Sequence, residues 1–217
     1  MRSNEIEARK KELRVTNVQK EILTGILLGD ACLETQNCGR TYRLKIEQGS
    51  SHRPYVDHLY QIFRDWTLSP PRERIVSLGN KVFRNVCFST LSFGGMRFFA
   101  HQFYQSGRKV VPKLIHRWLT PKALAYWWMD DGSAKSAQSK GVLFNTQGFS
   151  IEDVDRLISV LKRNFLLNAS RRRQKDGWQI YVSGKDFENL VALIGPHLIP
   201  EMRYKLPKER VTALPKM

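Results

Sequence analysis

The sequence predicts an α+β fold built as two similar halves. Three observations carry that expectation. Segments repeat: YVDHLYQIF at 55–63 is matched by DVDRLISVL at 153–161, IEQGSS at 46–51 by NTQGFS at 145–150, and RKVVPK at 108–113 by RYKLPK at 203–208. Helical spacing and strand alternation follow one another in the same order in both halves. Two apolar helices, LTGILLGDA at 23–31 and LAYWWMDDG at 124–132, each end on acid. Repetition bears on architecture before any local reading does. It predicts two units related by a pseudo-twofold axis and joined near residues 108–120.

Each element has its own signal. Residues 1–17 are a polar helical lead-in, and a helix follows from Val18 with Thr16 and Asn17 as cap candidates. TYRLKIEQ alternates as a strand does. RPYVDHLYQIFRDW puts Val56, Leu59, Ile62, Phe63 and Trp66 on one helical face. After the SPPRERI break, RIVSL and KVFRNVCFST are strands around an LGN turn. MRFFAHQFYQ is a helix, and GRKVVPKLIHRWLTP is a basic, Pro-punctuated connector. The order then recurs: PKALAYWWMDD is a helix, GVLFNTQ a strand and IEDVDRLISVLKRNF a helix. ASRRRQ and WQIYVSG form a hairpin around Lys175-Asp176-Gly177, DFENLVALIGPHL is a helix, and MRYKLPKER is a second basic segment. Each half reads α-β-(β)-α-β-β-α. The expected divisions are an extension over 1–17, a first half over 18–112, a second over 113–210 and a tail over 211–217.

Charge narrows the function. The 217 residues carry 36 Lys and Arg against 20 acids, a net charge of +16. Such an excess suits a polyanionic partner, usually nucleic acid or an anionic membrane, over a basic protein that is merely soluble. No run of apolar residues is long enough to span a bilayer, so no membrane association is expected. MRSNEIEARKKELR lacks the apolar stretch of a secretory signal. Cys32, Cys38 and Cys87 have no paired spacing, which favours reduced thiols over disulfides or zinc. His52, His58, His101, His116 and His197 show no triad or metal spacing. Trp66, Trp118, Trp127 and Trp128 fall within apolar helical patterns and are expected in the core.

Aligning the motif helices places Asp30 on Asp131. Each half thus delivers a carboxylate to a helix C-terminus, where the macrodipole is already negative. If the helices pack side by side, the two acids converge and invite a hard divalent cation. Gly25 and Gly29, spaced i,i+4, let two helix backbones approach closely. The other helix has Tyr126 and Asp130 there, so that seam is one-sided. Asp130 lies about 100° around the helix from Asp131 and is read as a helix-end or supporting group. Lys109 and Lys205 trail their aspartates at similar distances. They can orient water, stabilise phosphate charge or simply clamp the backbone.

The strings ALAYWWMDDG, FNTQ and LIPEMRYKLP, together with LTGILLGDA, resemble the two-motif, single-chain LAGLIDADG homing endonucleases, most of all the organellar intron-encoded branch. The resemblance covers roughly residues 18–210. It implies two αββαββα halves with the motif helices at the central interface and antiparallel β-saddles over DNA. It implies Mg²⁺, with Mn²⁺ able to substitute, bound by Asp30 and Asp131 with Gly29 and Asp130 beside them. Lys109 and Lys205 match active-site lysines, and Glu47, Gln48, Gln147 and Gln174 lie at or near polar active-site positions. The implied product is a double-strand break with short 3′ overhangs in a long asymmetric target, made by a monomer in an organelle. The first motif departs from the pattern by ending Asp30-Ala31 where Gly is usual. Members of the family also serve as RNA maturases, so intron RNA is an alternative partner, and DNA binding without cleavage is another.

The basic strands supply the surface for such a partner. Arg40, Arg43 and Lys45 lie on or just before the first long strand, and alternation puts Arg43 and Lys45 on one face. Arg72, Arg74, Lys81 and Arg84 populate the other hairpin of the first half. Arg171, Arg172, Arg173 and Lys175 do so in the second, interleaved with Trp178 and Tyr181. Summed phosphate attraction gives such a cluster salt-dependent affinity.

Overall fold

The computed structural model describes residues 3–207. The expected tail at 211–217 and the end of the second half lie outside them. Helix α1 (Ser3–Glu12) is the polar lead-in, tied down where Arg9 donates to the Asp65 carbonyl. Helix α2 (Asn17–Leu28) is the first motif helix. Thr16 caps it by accepting the Gln19 N–H, while Gln19 returns a bond to the Thr16 N–H. This reciprocal box satisfies donors that a helix start leaves open.

The first half continues through β1 (Cys32–Glu34), β2 (Arg43–Gly49), α3 (Arg53–Phe63), β3 (Arg72–Leu78), β4 (Lys81–Ser89) and α4 (Arg97–Phe103). A short ribbon, β5 (Tyr104–Gln105) and β6 (Arg108–Lys109), and the helix α5 (Ile115–Trp118) form the junction. The second half is α6 (Pro121–Asp131), β7 (Gly132–Ser136), β8 (Ser139–Phe144), α7 (Ile151–Phe165), β9 (Ala169–Gln174), β10 (Gly177–Val182) and α8 (Phe187–Ile194). Both halves are therefore αββαββα. Their sheets have equivalent strand orders, β1-β2-β4-β3 and β7-β8-β10-β9, with every pairing antiparallel.

Two strands and one ribbon go beyond the elements expected from sequence. β1 has three residues and β7 reads GSAKS, so neither shows apolar alternation. The β5–β6 ribbon turns at Ser106-Gly107, both with positive φ, the geometry that favours tight two-residue hairpin loops. That ribbon carries Lys109. The LGN turn forms as expected, with Gly79 at φ +57°.

The motif helices α2 and α6 pack along the pseudo-dyad. Glycine sets their separation. A Cβ on Gly25 would lie 2.3 Å from the Ala123 carbonyl oxygen, and one on Gly29 would lie 2.4 Å from the Asp130 Cβ. The one-sided small-residue seam is thus present, with Asp130 opposite Gly29. Around it Ile22, Leu23, Ile26, Leu27, Trp127 and Trp128 are buried in one continuous core. Trp66 is buried too, whereas Trp118 is half-buried and packs at a tilt against the exposed Phe98. No helix among the described residues is long and apolar enough to cross a membrane.

Strand register sorts the basic residues. Leu44, Ile46, Val86 and Phe88 are buried toward the helices. Alternation then puts Arg43, Lys45, Glu47, Arg72, Arg74 and Lys81 on the outer face. Arg84 pairs with Ile75 and falls on the helix side. In the second sheet Phe144, Ile180 and Val182 face the core, so Arg171, Arg173 and Trp178 share their side and Arg172 is outermost.

Candidate active site

Both motif helices end at one place. α2 stops at Leu28 with Gly29 as its cap, α6 runs to Asp131, and the seam carries Asp30, Asp130 and Asp131 to the same end. Asp130 accepts the Asp30 main-chain N–H on Oδ2 at 3.2 Å. Gln48, at the inner face of β2, donates from Nε2 to Asp30 Oδ2 at 2.9 Å and to Asp130 Oδ1 at 3.2 Å. One amide thus bridges two acids from opposite helices. The buried Tyr55 hydroxyl has no partner of ordinary hydrogen-bonding geometry, and the adjacent Asp130 adds to the burial that holds its ionisation well above the usual tyrosine range.

The lysines answer the helix-end problem. Lys109 Nζ donates to the Gly29 and Ala31 carbonyls at 2.6 and 2.8 Å. Lys205 Nζ donates to the Met129 and Asp130 carbonyls, the latter at 2.6 Å. Each cation therefore caps the negative end of its own motif helix, satisfying carbonyls that have no partner within the helix. Burial pulls the proton affinity of both lysines down. The three aspartates oppose that pull on Lys205, and the three aspartates together with Cys32 oppose it on Lys109.

The acids differ. Asp30 is exposed at the cleft, whereas Asp130 and Asp131 are half-buried. Burial, then Asp30, pushes Asp131 up to about 7, although the Trp127 indole N–H donates to its Oδ2 at 3.2 Å. Burial and the neighbouring Asp30 and Asp131 push Asp130 well above the usual carboxylate range. Carboxylates held this close resist ionising together.

Gln48 sits where expected. Gln147 does not: its main chain packs against Gly177, and its side chain makes no hydrogen bond to Asp131. The repeat misassigns it because register places Thr146, not Gln147, at the inward position equivalent to Gln48. Asn145 takes over in this half. Its Nδ2 donates to the Asp131 carbonyl at 3.0 Å, its Oδ1 accepts Gln179 Nε2 at 2.6 Å, and Gln179 accepts Gln174 Nε2 at 2.8 Å. Gln174 is therefore linked to Asp131, through two amides. Glu47 points outward instead, ion-paired to Lys45 and Arg74 at 3.2 Å each. Asn145, Gln179, His52, Tyr204 and Trp127 carried no role in the sequence reading. The strings FNTQ, LIPEMRYKLP and ALAYWWMDDG contain Asn145, Tyr204 and Trp127, but only as part of the family resemblance.

The donor set bears on a metal. Among the described residues, no group of three or more His, Cys, Asp or Glu side chains is arranged to hold an ion unaided. Asp30 and Asp131 each give one oxygen, Oδ2, to a donor, Gln48 and Trp127 respectively, and keep Oδ1 as a ligand. The Gly29 carbonyl is engaged by Lys109, and the Asp130 carboxylate is occupied as a brace. Two hard carboxylate ligands with crowded negative charge fit a hard divalent cation that draws its remaining oxygens from water and substrate.

The basic residues surround this seam on two sheets. Glu34 holds Arg43 at 2.7 Å and Lys45 at 3.6 Å on the outer face of the first. On the second, Lys135 stacks over the Tyr181 ring at 5.2 Å. Arg171 and Arg173 instead flank the Trp178 ring at 5.3 and 5.0 Å on the helix side, with Arg171 also paired to Asp155 of α7 at 3.3 Å. Arg40 is exposed in the β1–β2 loop, and Lys175 is exposed in the β9–β10 turn.

Two αββαββα halves sharing one acid-bearing helix seam define the class of two-motif homing-endonuclease folds. The chain belongs to the LAGLIDADG DNA endonuclease family, whose model matches residues 20–190. It is 33% identical over 207 residues to the probable intron-encoded endonuclease 1 of Wickerhamomyces canadensis, covering 91% of this chain and 87% of that one. It is 32% identical to the DNA endonuclease I-ChuI of Chlamydomonas applanata, covering 89% and 96%. A cytochrome b mRNA maturase bI2 of Debaryomyces hansenii is 30% identical, covering 86% and 72%. Among solved structures, the homing endonuclease I-WcaI bound to its DNA recognition sequence superposes with a TM-score of 0.90 at 28% identity, covering 96% of this chain and 94% of that one.

Proposed function

We propose that this protein is a sequence-specific, Mg²⁺-dependent endonuclease that hydrolyses both strands of a long asymmetric DNA target and leaves short 3′ overhangs. One observation carries the reading: Asp30 and Asp131, one from each half, meet at paired helix ends under Lys109 and Lys205 and between two basic sheets. Mg²⁺ would supply Lewis acidity at the scissile phosphate, and Mn²⁺ would substitute. Asp30 and Asp131 would hold the cation. Gln48 and Asn145 fix the approach of the two acid-bearing segments. Lys109 and Lys205 keep the helix ends neutral and offer positive charge toward phosphate oxygens. Arg43, Lys45, Arg72, Arg74 and Lys81 of the first sheet, with Arg172 of the second, face the duplex, and Arg40 and Lys175 lie at its edges. Arg84, Arg171, Arg173 and Trp178 lie on the opposite, helix-side face. Both half-sites are in one chain, so the active form is a monomer. The resemblance and an intron-encoded relative support intron encoding and an organellar setting.

Likeness to a maturase favours a second reading, intron RNA binding that assists splicing. Strand-labelled cleavage of a target by the wild type, Asp30→Asn and Asp131→Asn separates the two. The endonuclease reading expects each variant to lose cutting by at least about a hundredfold on its own strand. Undiminished cutting by both variants, or RNA binding with no cutting by the wild type, would overturn it.

A further inference from the structure

We propose that His52 and Tyr204 are positioning residues for the acid of the first half, and that they act on one DNA strand only. The proposal rests on the endonuclease reading above and deepens it. Gln48 turns its amide nitrogen to Asp30 and Asp130, at 2.9 and 3.2 Å. Carboxylate oxygens accept, so the amide oxygen must face away from them. His52 Nδ1 lies 3.4 Å from that oxygen and donates to it. In the neutral ring Nε2 is then an acceptor, and the Tyr204 hydroxyl donates a hydrogen bond to it at 2.8 Å. The two rings are stacked, 6.4 Å between centroids.

This relay joins the halves. Tyr204 directly precedes Lys205, which is bonded to the end of α6. The closing segment of the second half thus sets the amide that braces the acid of the first. Without His52, only the two carboxylates orient the Gln48 amide, and its oxygen loses the donor that holds it. A flipped amide would aim oxygen at two carboxylates.

The second half has no counterpart. The repeat aligns His52 with Ser150, whose hydroxyl instead caps α7 by accepting the Asp153 N–H at 3.2 Å. Lys109, the equivalent of Lys205, is preceded by Arg108. Thr146, at the position of Gln48, donates to the Trp178 carbonyl at 2.7 Å. Asp131 depends on Trp127 and Asn145. Of the two acids facing the metal position, loss of the relay therefore reaches Asp30 directly, and Asp131 only through its neighbour Asp130.

The test is single-turnover cleavage of a target with each strand labelled separately, alongside DNA affinity measured in EDTA. His52→Ala is expected to slow one strand roughly tenfold or more, leaving the other within about twofold, so that nicked duplex accumulates. Tyr204→Phe, which removes only the donor to the ring, is expected to slow the same strand by less. His52→Asn keeps a donor for the Gln48 oxygen and is expected to recover most of the loss. Affinity stays at the wild-type value throughout. Equal slowing of both strands, no slowing, loss of affinity, or no recovery by His52→Asn would overturn the proposal while the wild-type rate upholds the endonuclease. A wild type that cuts neither strand overturns both.

Discussion

At the scale of single residues, the account turns on carboxylates that are costly where they sit. Asp131 is raised to about 7, by burial first and by Asp30 second. A group whose folded pKa exceeds its unfolded one stabilises the fold fully below the unfolded value, and that contribution is lost as pH rises through the folded value. The metal-free protein in EDTA is therefore expected to melt at a lower temperature at pH 8 than at pH 5. Asp131→Asn should flatten that slope in thermal unfolding, leaving the part due to Asp130, which is raised in the same direction. Added Mg²⁺ should raise the midpoint more at pH 8 than at pH 5, because only ionised ligands bind it. A slope unaffected by Asp131→Asn would contradict the assignment. Asp30 and Asp131 were legible in the sequence because two repeats each placed an acid after an apolar helix. Asn145 and His52 were not legible. Their roles depend on tertiary approach, and register, not spacing in the chain, decides which polar residue turns inward.

At the scale of elements, two features make predictions of their own. The first is the glycine seam. Gly25→Ala puts a methyl against main chain, the Ala123 carbonyl, and neither helix can yield locally. Overpacking of this kind costs about 1–3 kcal/mol, visible as a fall of several degrees in Tm. Gly29→Ala conflicts with the Asp130 side chain instead. Combining it with Asp130→Gly should restore part of the loss, and additive destabilisation would show that the seam is not what sets the spacing. The second feature is strand parity. Arg74→Ala, on the outer face, is expected to lower the salt dependence of DNA binding by about one counterion. Arg171→Ala removes an Asp155 pair and a Trp178 contact on the helix side and should leave that slope unchanged. Equal effects would refute the sorting of faces. The sequence showed that RRR at 171–173 is a strand in a hairpin. It did not show which arginines face outward, because the apolar markers of the inner face, Ile180 and Val182, lie on the partner strand and speak only through register.

At the scale of the whole molecule, a basic chain folds into two equivalent sheets hung from one pair of helices. The repeat made the two αββαββα halves and their junction legible. β1 and β7 remained indistinct because each runs at a sheet edge with too few apolar residues to mark a face. The halves are alike in backbone and unlike in side chains. The first sheet carries a Glu34–Glu47 network that orders its cations, and the second has no such acids among the residues of its outer strands. Unlike faces predict an asymmetric target, and a best-cleaved perfect palindrome would contradict that. The most direct test is a plasmid library of randomised targets incubated with the protein in Mg²⁺ and in EDTA, with the ends sequenced. The account predicts discrete double-strand breaks with short 3′ overhangs at one long asymmetric site, in Mg²⁺ alone. No breaks in Mg²⁺, or the same breaks in EDTA, would contradict it.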